Sequence, residues 1–471
     1  MAVCQYWYRL LEEQDGCGYL ILPCEVGKLP LVGSFFFLFS VSPLLDGLGS
    51  PIPAHDLARL AQLVLFLALV LYLPPPSRIA LSVVAGEFLF VAAIHWNAGR
   101  WAWIEVLHLA VMILVADGLR QSLGTGSAKR ISALTAMAVA VYLCLGLLPR
   151  WASLLFAHVA FVPHEFFPGF SNARFFGHWV TISLPVLVAA SCEASTRKVA
   201  FLTAVIASLW VSFGLASGTR GTWVSVIAMC GLLAVCGDIG RRQLYRTLAV
   251  LAAGGILYAV MFHGLVVSPA QDASVAGRLT KPDPLSGRSE LWSDAIWGIL
   301  RAPLSGHGPM SFADSVSRIA AHPHNSLLQL CFEWGIPLAF IVVAVFSWKL
   351  SAGVRKAMRR GTHVELALCI ALFGAVVHSM VDGVLVMPHG QVWFLLFCGF
   401  LLSLTDSDSS ADTLRTPNTR LRHGMSLTCA AALCVLIAPE LQNLTHWENS
   451  SLASTEGGRF LPRFWIQGIV P

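Results

Sequence analysis

The stretch SGRSELWSDAIWGILRAPLSGHGPMSFADSVSRIAAHPHNSLLQLCFEWG, residues 286–335, decides how this chain is read. It belongs to a polar segment that begins near Leu265, and it gathers Arg288, His307, His322, His324 and Asn325 between two strongly apolar regions. A long polar loop in an otherwise apolar sequence reads as chemistry held at a membrane surface, with the rest of the chain as its scaffold.

The composition outside that loop agrees. Of 471 residues, 56% are hydrophobic and 12% charged, and the mean hydropathy is +0.70. Soluble globular domains carry about 25% charged residues, so the chain is expected to be an all-α polytopic membrane protein. A spanning helix takes about 20 mostly apolar residues. Candidate spans centre near Leu38, Phe66, Phe88, Val111, Ala140, Leu184, Ala207, Met229, Gly255, Ile341, Leu372, Phe397 and Cys434, which predicts about 12–13 transmembrane helices. The expected division is a cytoplasmic N-terminal segment 1–28, a first part of the bundle 29–264, the loop 265–325, a second part of the bundle 326–440 and a tail 441–471.

Glu12, Glu13, Asp15 and Glu25 leave the N-terminal segment without a basic region leading into an apolar core, so no removable signal peptide is expected. Lys and Arg collect at Arg120, Lys129 and Arg130, at Arg197 and Lys198, at Arg241, Arg242 and Arg246, between Lys349 and Arg360, and between Arg415 and Arg422. The positive-inside tendency puts these on the cytoplasmic side. The stretches 161–178, 217–221 and 265–325, with the tail after Glu440, then face outward. The net charge of +5 follows from topology rather than from one basic patch, and no nucleic-acid partner is implied. Twelve cysteines include no CxxC pair and none in the 265–325 loop, so they read as small apolar fillers. The acidic run TDSDSSAD, Thr405–Asp412, contains a D-x-D pattern but reads as a solvated cytoplasmic loop.

Within the outer loop, Leu291, Trp292, Ala295, Ile296, Ile299 and Leu300 recur at the spacing of an amphipathic helix over 288–301. Arg288 would sit in its first turn, where backbone N–H groups favour an anion. Gly306, Gly308 and Pro309 mark a turn. Pro323 biases His322 toward an extended backbone before Asn325 starts the next helix.

Several residues are candidates for chemistry. Arg220, in Ser217-Gly-Thr-Arg-Gly221, lies at the outer end of a span with glycines close on both sides. As a snorkelling cation it would be unremarkable, but with Arg288 it offers two planar, permanently charged forks suited to a pyrophosphate. His322 and His324, two apart in an extended segment, would face one way, and a neutral imidazole is a general base near pH 7. Two histidines without a third ligand at suitable spacing make a weak zinc motif, so no metal is expected. His378 and Asp382 stand at i and i+4 near the outer end of a span. Like Glu87, Glu105 and His108, they are ionisable groups at membrane depth, where pairing inside the bundle competes with a catalytic role.

Taken together, His322-Pro-His-Asn-Ser-Leu-Leu-Gln-Leu-Cys-Phe-Glu-Trp-Gly335, Gly306-His-Gly-Pro-Met-Ser-Phe312, Gly287-Arg-Ser-Glu-Leu-Trp292 and Ser217-Gly-Thr-Arg-Gly221 resemble the O-antigen ligase and polymerase superfamily. Gly169-Phe-Ser-Asn-Ala-Arg-Phe-Phe176, with Asn172 and Arg174, resembles an earlier outer loop of that family. The resemblance implies a GT-C-like glycosyltransferase fold with a long periplasmic loop, in the bacterial inner membrane with its active site facing the periplasm. It implies transfer of a glycan from undecaprenyl pyrophosphate to lipid A-core, inverting and without metal or other cofactor. Arg220 and Arg288 would then bind the donor pyrophosphate and His324 would activate or orient the acceptor hydroxyl. His322, Asn325, Asn172, Arg174 and Asp382 would complete the substrate-binding set. An O-antigen polymerase or a protein O-oligosaccharyltransferase would use the same donor, and a multi-span transporter is the alternative outside the family.

Overall fold

Hydrocarbon offers no partner to a backbone N–H or C=O, so a chain this apolar satisfies its main chain inside helices. The computed structural model describes residues 28–48, 52–124, 126–266, 288–315, 320–406, 419–442, 444 and 464–465, and among these it is helical with no strand. The chain is an all-α polytopic membrane protein. Its apolar helices are α1 (Lys28–Val41), α2 (Ala54–Tyr72), α3 (Arg78–Ile94), α4 (Arg100–Ser122) and α5 (Ser127–Ala157, with a π turn at Leu143–Leu147). They continue with α6 (Ala173–Cys192), α7 (Arg197–Ala216), α8 (Arg220–Val235) and α9 (Gly237–Ala259). After α10 (Arg288–Arg301) and α11 (Ser326–Trp334) come α12 (Ile336–Arg360), α13 (His363–Ser379), α14 (Pro388–Asp406) and α15 (Thr419–Ile437).

Among the described residues, nine helices are long and apolar enough to cross a membrane. α1, α8 and α13 belong to shorter apolar helices, and α3 is 17 residues long. Each of the thirteen expected centres falls inside one of these helices. Helix α6 is the most enclosed of the nine. Close approach comes from small residues, which let helix backbones pack without large side chains between them. Gly254 of α9 seats Val211 of α7, Gly374 of α13 seats Met229 of α8, and Gly399 of α14 seats Leu119 of α4.

Antiparallel alternation sorts the connections to two ends. One end is basic and tied by polar contacts. Asp117 accepts from the Ser77 backbone at 2.6 Å and from Arg120 at 2.9 Å, while Asp406 pairs with Lys349 at 2.6 Å and with Arg120 at 3.5 Å. Asp406 is therefore more than a solvated loop residue, because it joins the ends of α4 and α14 to the middle of α12. Residues 407–412 of the D-x-D run, like the N-terminal acidic residues and Cys4, Cys17 and Cys24, lie outside the described residues.

The opposite end carries the stretches around residues 95–99, 158–172, 217–219, 288–335 and 380–387. Here the amphipathic expectation for 288–301 is met by α10. Leu291, Ala295 and Ile299 are buried against Phe312 and Phe332, while Ile296, Trp297, Leu300 and Leu304 are exposed. An exposed apolar row on a helix beside the bundle suits a lipid interface.

Candidate active site

The geometry of the site begins with how the loop is pinned. Gly306 has φ +67°, and a Cβ there would meet the Glu333 carbonyl at 2.5 Å, so only glycine lets the chain lie against the end of α11. His307 N and Gly308 N then donate to the carbonyls of Phe332 and Glu333, each at 2.9 Å. His307 itself bonds the Gly298 carbonyl at 2.9 Å and packs on Phe332, which makes it part of the loop's framework. At the other end of α11, Asn325 Oδ1 accepts from Leu327 N and Leu328 N, both at 3.0 Å. Between these anchors Trp292 of α10 donates to the Pro323 carbonyl at 2.9 Å, so α10 and α11 clamp the His-Pro-His turn.

That turn departs from the extended geometry expected for it. His324 has φ +51°, a left-handed conformation that is uncommon for a residue with a Cβ and that clusters at functional sites. Its N–H donates to His322 Nδ1 at 3.2 Å, and the two rings meet with centroids 4.2 Å apart. The rings come together because the backbone curls, not because it is extended. His322 is 2% exposed and sits against Gly383, where a Cβ would lie 2.6 Å from its ring.

Asp382 faces this turn from the connection between α13 and α14. Its Oδ1 is 3.4 Å from His324 Nδ1 and accepts from Gly383 N at 2.8 Å. Its Oδ2 is 3.6 Å from His178 Nε2 of α6. Burial pushes the Asp382 carboxyl up, but His178 and His324 outweigh it and hold it well below the usual carboxylate range. With Nδ1 turned to the carboxylate, Nε2 of His324 is the nitrogen that can meet a substrate. His378, one turn before Asp382, contacts the His178 ring edge-on at 5.0 Å. Its Nδ1 lies 2.8 Å from Thr181 Oγ1. That hydroxyl also lies 3.1 Å from the Gly177 carbonyl, so Thr181 ties His378 to the backbone of α6. The connection bearing Asp382 is fixed in turn by Arg59 of α2. The guanidinium is buried and bonds the Val386 carbonyl at 2.7 Å, Gln391 Oε1 at 2.6 Å and the Phe464 carbonyl at 3.0 Å, and it lies over the Phe464 ring.

Arg220 and Arg288 are the first residues of α8 and α10, where the helix macrodipoles add to their charge. Both are half-buried, and Arg288 lies close enough to His378 to act on it electrostatically. Gly221 makes the approach at Arg220 possible, since a Cβ there would meet the His378 ring at 2.5 Å. The glycine beside Arg220 thus accommodates a histidine of the site. Gly221→Ala is expected to displace His378 from Thr181 at a cost of about 1–3 kcal/mol and to lower turnover at least fivefold. Gly231→Ala, in the same helix with nothing within 4 Å of the added Cβ, should leave both melting temperature and turnover unchanged.

Of the residues expected from sequence, the structure gathers Arg220, Arg288, His322, His324 and Asp382 at one end of the bundle. Asn172 and Asn325 are helix caps: Asn172 Oδ1 accepts from Arg174 N at 3.0 Å. Arg174 stands one helical turn before His178 on α6 and shares its face. Glu87 and Glu105 lie on α3 and α4, and His108 packs between Phe66 and Phe464. His178 and Thr181 escaped the sequence reading. They sit in the apolar run Gly177-His-Trp-Val-Thr-Ile-Ser-Leu184 with no spacing to any motif. With His178 placed, His178, His378 and Asp382 become a buried trio whose ligand atoms lie within 4.8 Å of one another. These are residue types that can bind a divalent ion.

An all-helical membrane bundle with two arginines at helix starts and a histidine–carboxylate pair at one end is the class that fold and site define. Residues 202–343 match the family model described as O-Antigen ligase, and this segment holds Arg220, Arg288, His322, His324 and Asn325. The chain is similar to an O-antigen ligase of Pseudomonas aeruginosa, with 27% identity over 187 residues, 39% of this chain and 42% of the relative. The match therefore spans about two fifths of that relative's length.

Proposed function

We propose that the protein is a membrane glycosyltransferase that moves a glycan from undecaprenyl pyrophosphate to a sugar hydroxyl of lipid A-core, in the bacterial inner membrane and on the periplasmic side. The observation that carries this reading is His324, whose Nδ1 stands 3.4 Å from an Asp382 oxygen, at the same end of the bundle as Arg220 and Arg288. The lipid pyrophosphate is already a leaving group, so the protein has two tasks: to stabilise the departing charge and to deliver an oxygen nucleophile. Preorganised arginines at helix starts serve the first, and a neutral histidine serves the second.

In the proposed step the acceptor hydroxyl oxygen attacks the anomeric carbon from the face opposite the pyrophosphate, and its proton passes to His324 Nε2. The bond from the anomeric carbon to the pyrophosphate oxygen breaks, and undecaprenyl pyrophosphate leaves with its negative charge toward Arg220 and Arg288. Asp382 stabilises the imidazolium that forms. The product has the inverted anomeric configuration.

In this reading His178 stands beside the Asp382 carboxylate with His378 packed on its ring, and the trio orients Asp382 rather than binding a metal. The test is reconstitution of the full chain with an undecaprenyl pyrophosphate glycan and lipid A-core, a second lipid-linked repeat, or an acceptor protein, each with and without chelator. Transfer to lipid A-core that withstands EDTA, with an inverted linkage by NMR, is expected. Chain lengthening or protein glycosylation would reassign the acceptor. Loss under chelator with recovery on adding zinc would make the buried trio a metal centre. No transfer to any acceptor would turn the reading toward transport.

A further inference from the structure

A cleft of about 590 Å3 opens between the connection from α3 to α4 and the pinned loop. One wall is His95, Trp96, Asn97, Arg100 and Trp101, and the other is formed by His307 and the residues after it. The walls are joined rather than merely adjacent. His95 Nε2 bonds the Ser305 carbonyl at 3.1 Å, and Gly308, at φ +98°, lies against the His95 ring. Trp96 is 77% exposed, while Trp101 is half-buried with the Arg100 guanidinium over its ring at 5.7 Å. Arg100 also pairs with Glu440.

The chemistry of this lining selects the occupant. Its size falls in the usual range of ligand sites, roughly 300–1,000 Å3. A hydrocarbon tail would take the Asn97 amide and the partly exposed Arg100–Glu440 pair out of water without offering them new hydrogen bonds, which is costly. A bare anion would gain nothing from two indole faces. A saccharide uses both, since its C–H faces pack on aromatic rings and its hydroxyls bond to amides, imidazoles and guanidinium groups. A belt of interfacial aromatics explains tryptophans at this depth, but not a cleft whose opposite wall is the glycine turn of the loop.

The cleft is also linked to the reacting centre. His307 and Gly308 are hydrogen-bonded to the last turn of α11, and His324 immediately precedes the cap of that same helix. Nine residues of helix at about 1.5 Å each put roughly 13 Å between the two ends, within reach of an oligosaccharide but not of one sugar.

We propose that this cleft is an oligosaccharide subsite, holding sugar units remote from the reacting one. The proposal rests on the glycosyltransferase reading above. The subsite takes either the glycan of the donor or the core of the acceptor, and the experiment separates these sources. Full-length protein and Trp96→Ala are compared in steady state, with donors carrying one or several repeat units and with full or truncated core acceptors. Binding of lipid-free core and lipid-free repeat oligosaccharides is measured by calorimetry in parallel.

The expected result is a rise of about tenfold in KM for one substrate with kcat unchanged, the size of one lost aromatic contact. Truncating the substrate that occupies the cleft should erase the difference, which names the source. Free oligosaccharide should bind the wild type and not Trp96→Ala, and Trp96→Phe should recover most of the affinity. Active wild-type protein with unchanged KM values in Trp96→Ala and no free-oligosaccharide binding would overturn the subsite and leave the transfer reading intact. A wild type that transfers nothing yet binds free oligosaccharide through Trp96 would overturn the transfer reading while supporting the subsite.

Discussion

His324→Ala, purified folded from the membrane, is expected to lose transfer by about 10²- to 10⁴-fold, the usual contribution of a positioned proton acceptor. The loss should appear in kcat, because the arginines proposed to receive the pyrophosphate are untouched, and donor KM should stay within about twofold. Alanine at φ +51° keeps the backbone strain, so His324→Gly is the companion variant that removes it. If both fall equally, the imidazole and not the turn is responsible. Near-full activity in both, measured as glycan transfer to acceptor, would remove His324 from proton transfer and from orientation alike.

Asp382→Asn is the second large effect. The carboxylate faces His324 Nδ1 and so favours a proton there, leaving the lone pair on Nε2 for the acceptor. An amide offers an N–H to the same nitrogen and permits the opposite tautomer, which takes the base away. In a Ser-His-Asp triad this exchange costs about 10⁴ in kcat, and partners of functional histidines more generally cost 10- to 100-fold, so a loss of at least 10²-fold is expected. Asp382 acts through His324, so Asp382→Asn in a His324→Ala background should cost little more.

The same pair gives a pH signature. A carboxyl held below its ordinary value contributes stability that is fully present above the unfolded pKa of about 3.9 and is lost as pH falls through the depressed folded value. The difference in melting temperature between wild type and Asp382→Asn should therefore be constant through neutral pH and narrow only below about pH 4. A gap that already closes between pH 7 and 5 would place the coupling on a histidine instead.

The helical scaffold was legible because hydrocarbon permits few solutions. Each of the thirteen apolar centres marks a helix, and Asn325 marks the start of α11. Asn325 was expected both to start that helix and to meet substrate, and its Oδ1 makes the first of these roles plain by accepting from two backbone N–H groups. His322 and His324 stood out as polar residues in a polar loop. His178 did not, because a histidine inside an apolar helix has no periodic or spacing signal until another element brings an acid to it. Asp382 supplies that acid from more than two hundred residues downstream. The i, i+4 relation of His378 and Asp382 was visible, and although α13 ends at Ser379 both side chains meet His178, which that spacing could not reveal.

Arg59 bears on the order in which the protein can be made. Its guanidinium lies inside α2 and completes its hydrogen bonds with Val386, Gln391 and the carbonyl of Phe464. During synthesis α2 enters the membrane long before residue 386 exists, so for most of that time a cation waits in the bundle without these oxygens. The connection that presents Asp382 to His324 gains its bonds to Arg59 when residues 386–391 arrive, and the guanidinium is fully bonded only once residue 464 follows. Pairing of His324 with Asp382 is then a late event, and a chain that stalls before that point lacks the bond from Arg59 to the Phe464 carbonyl.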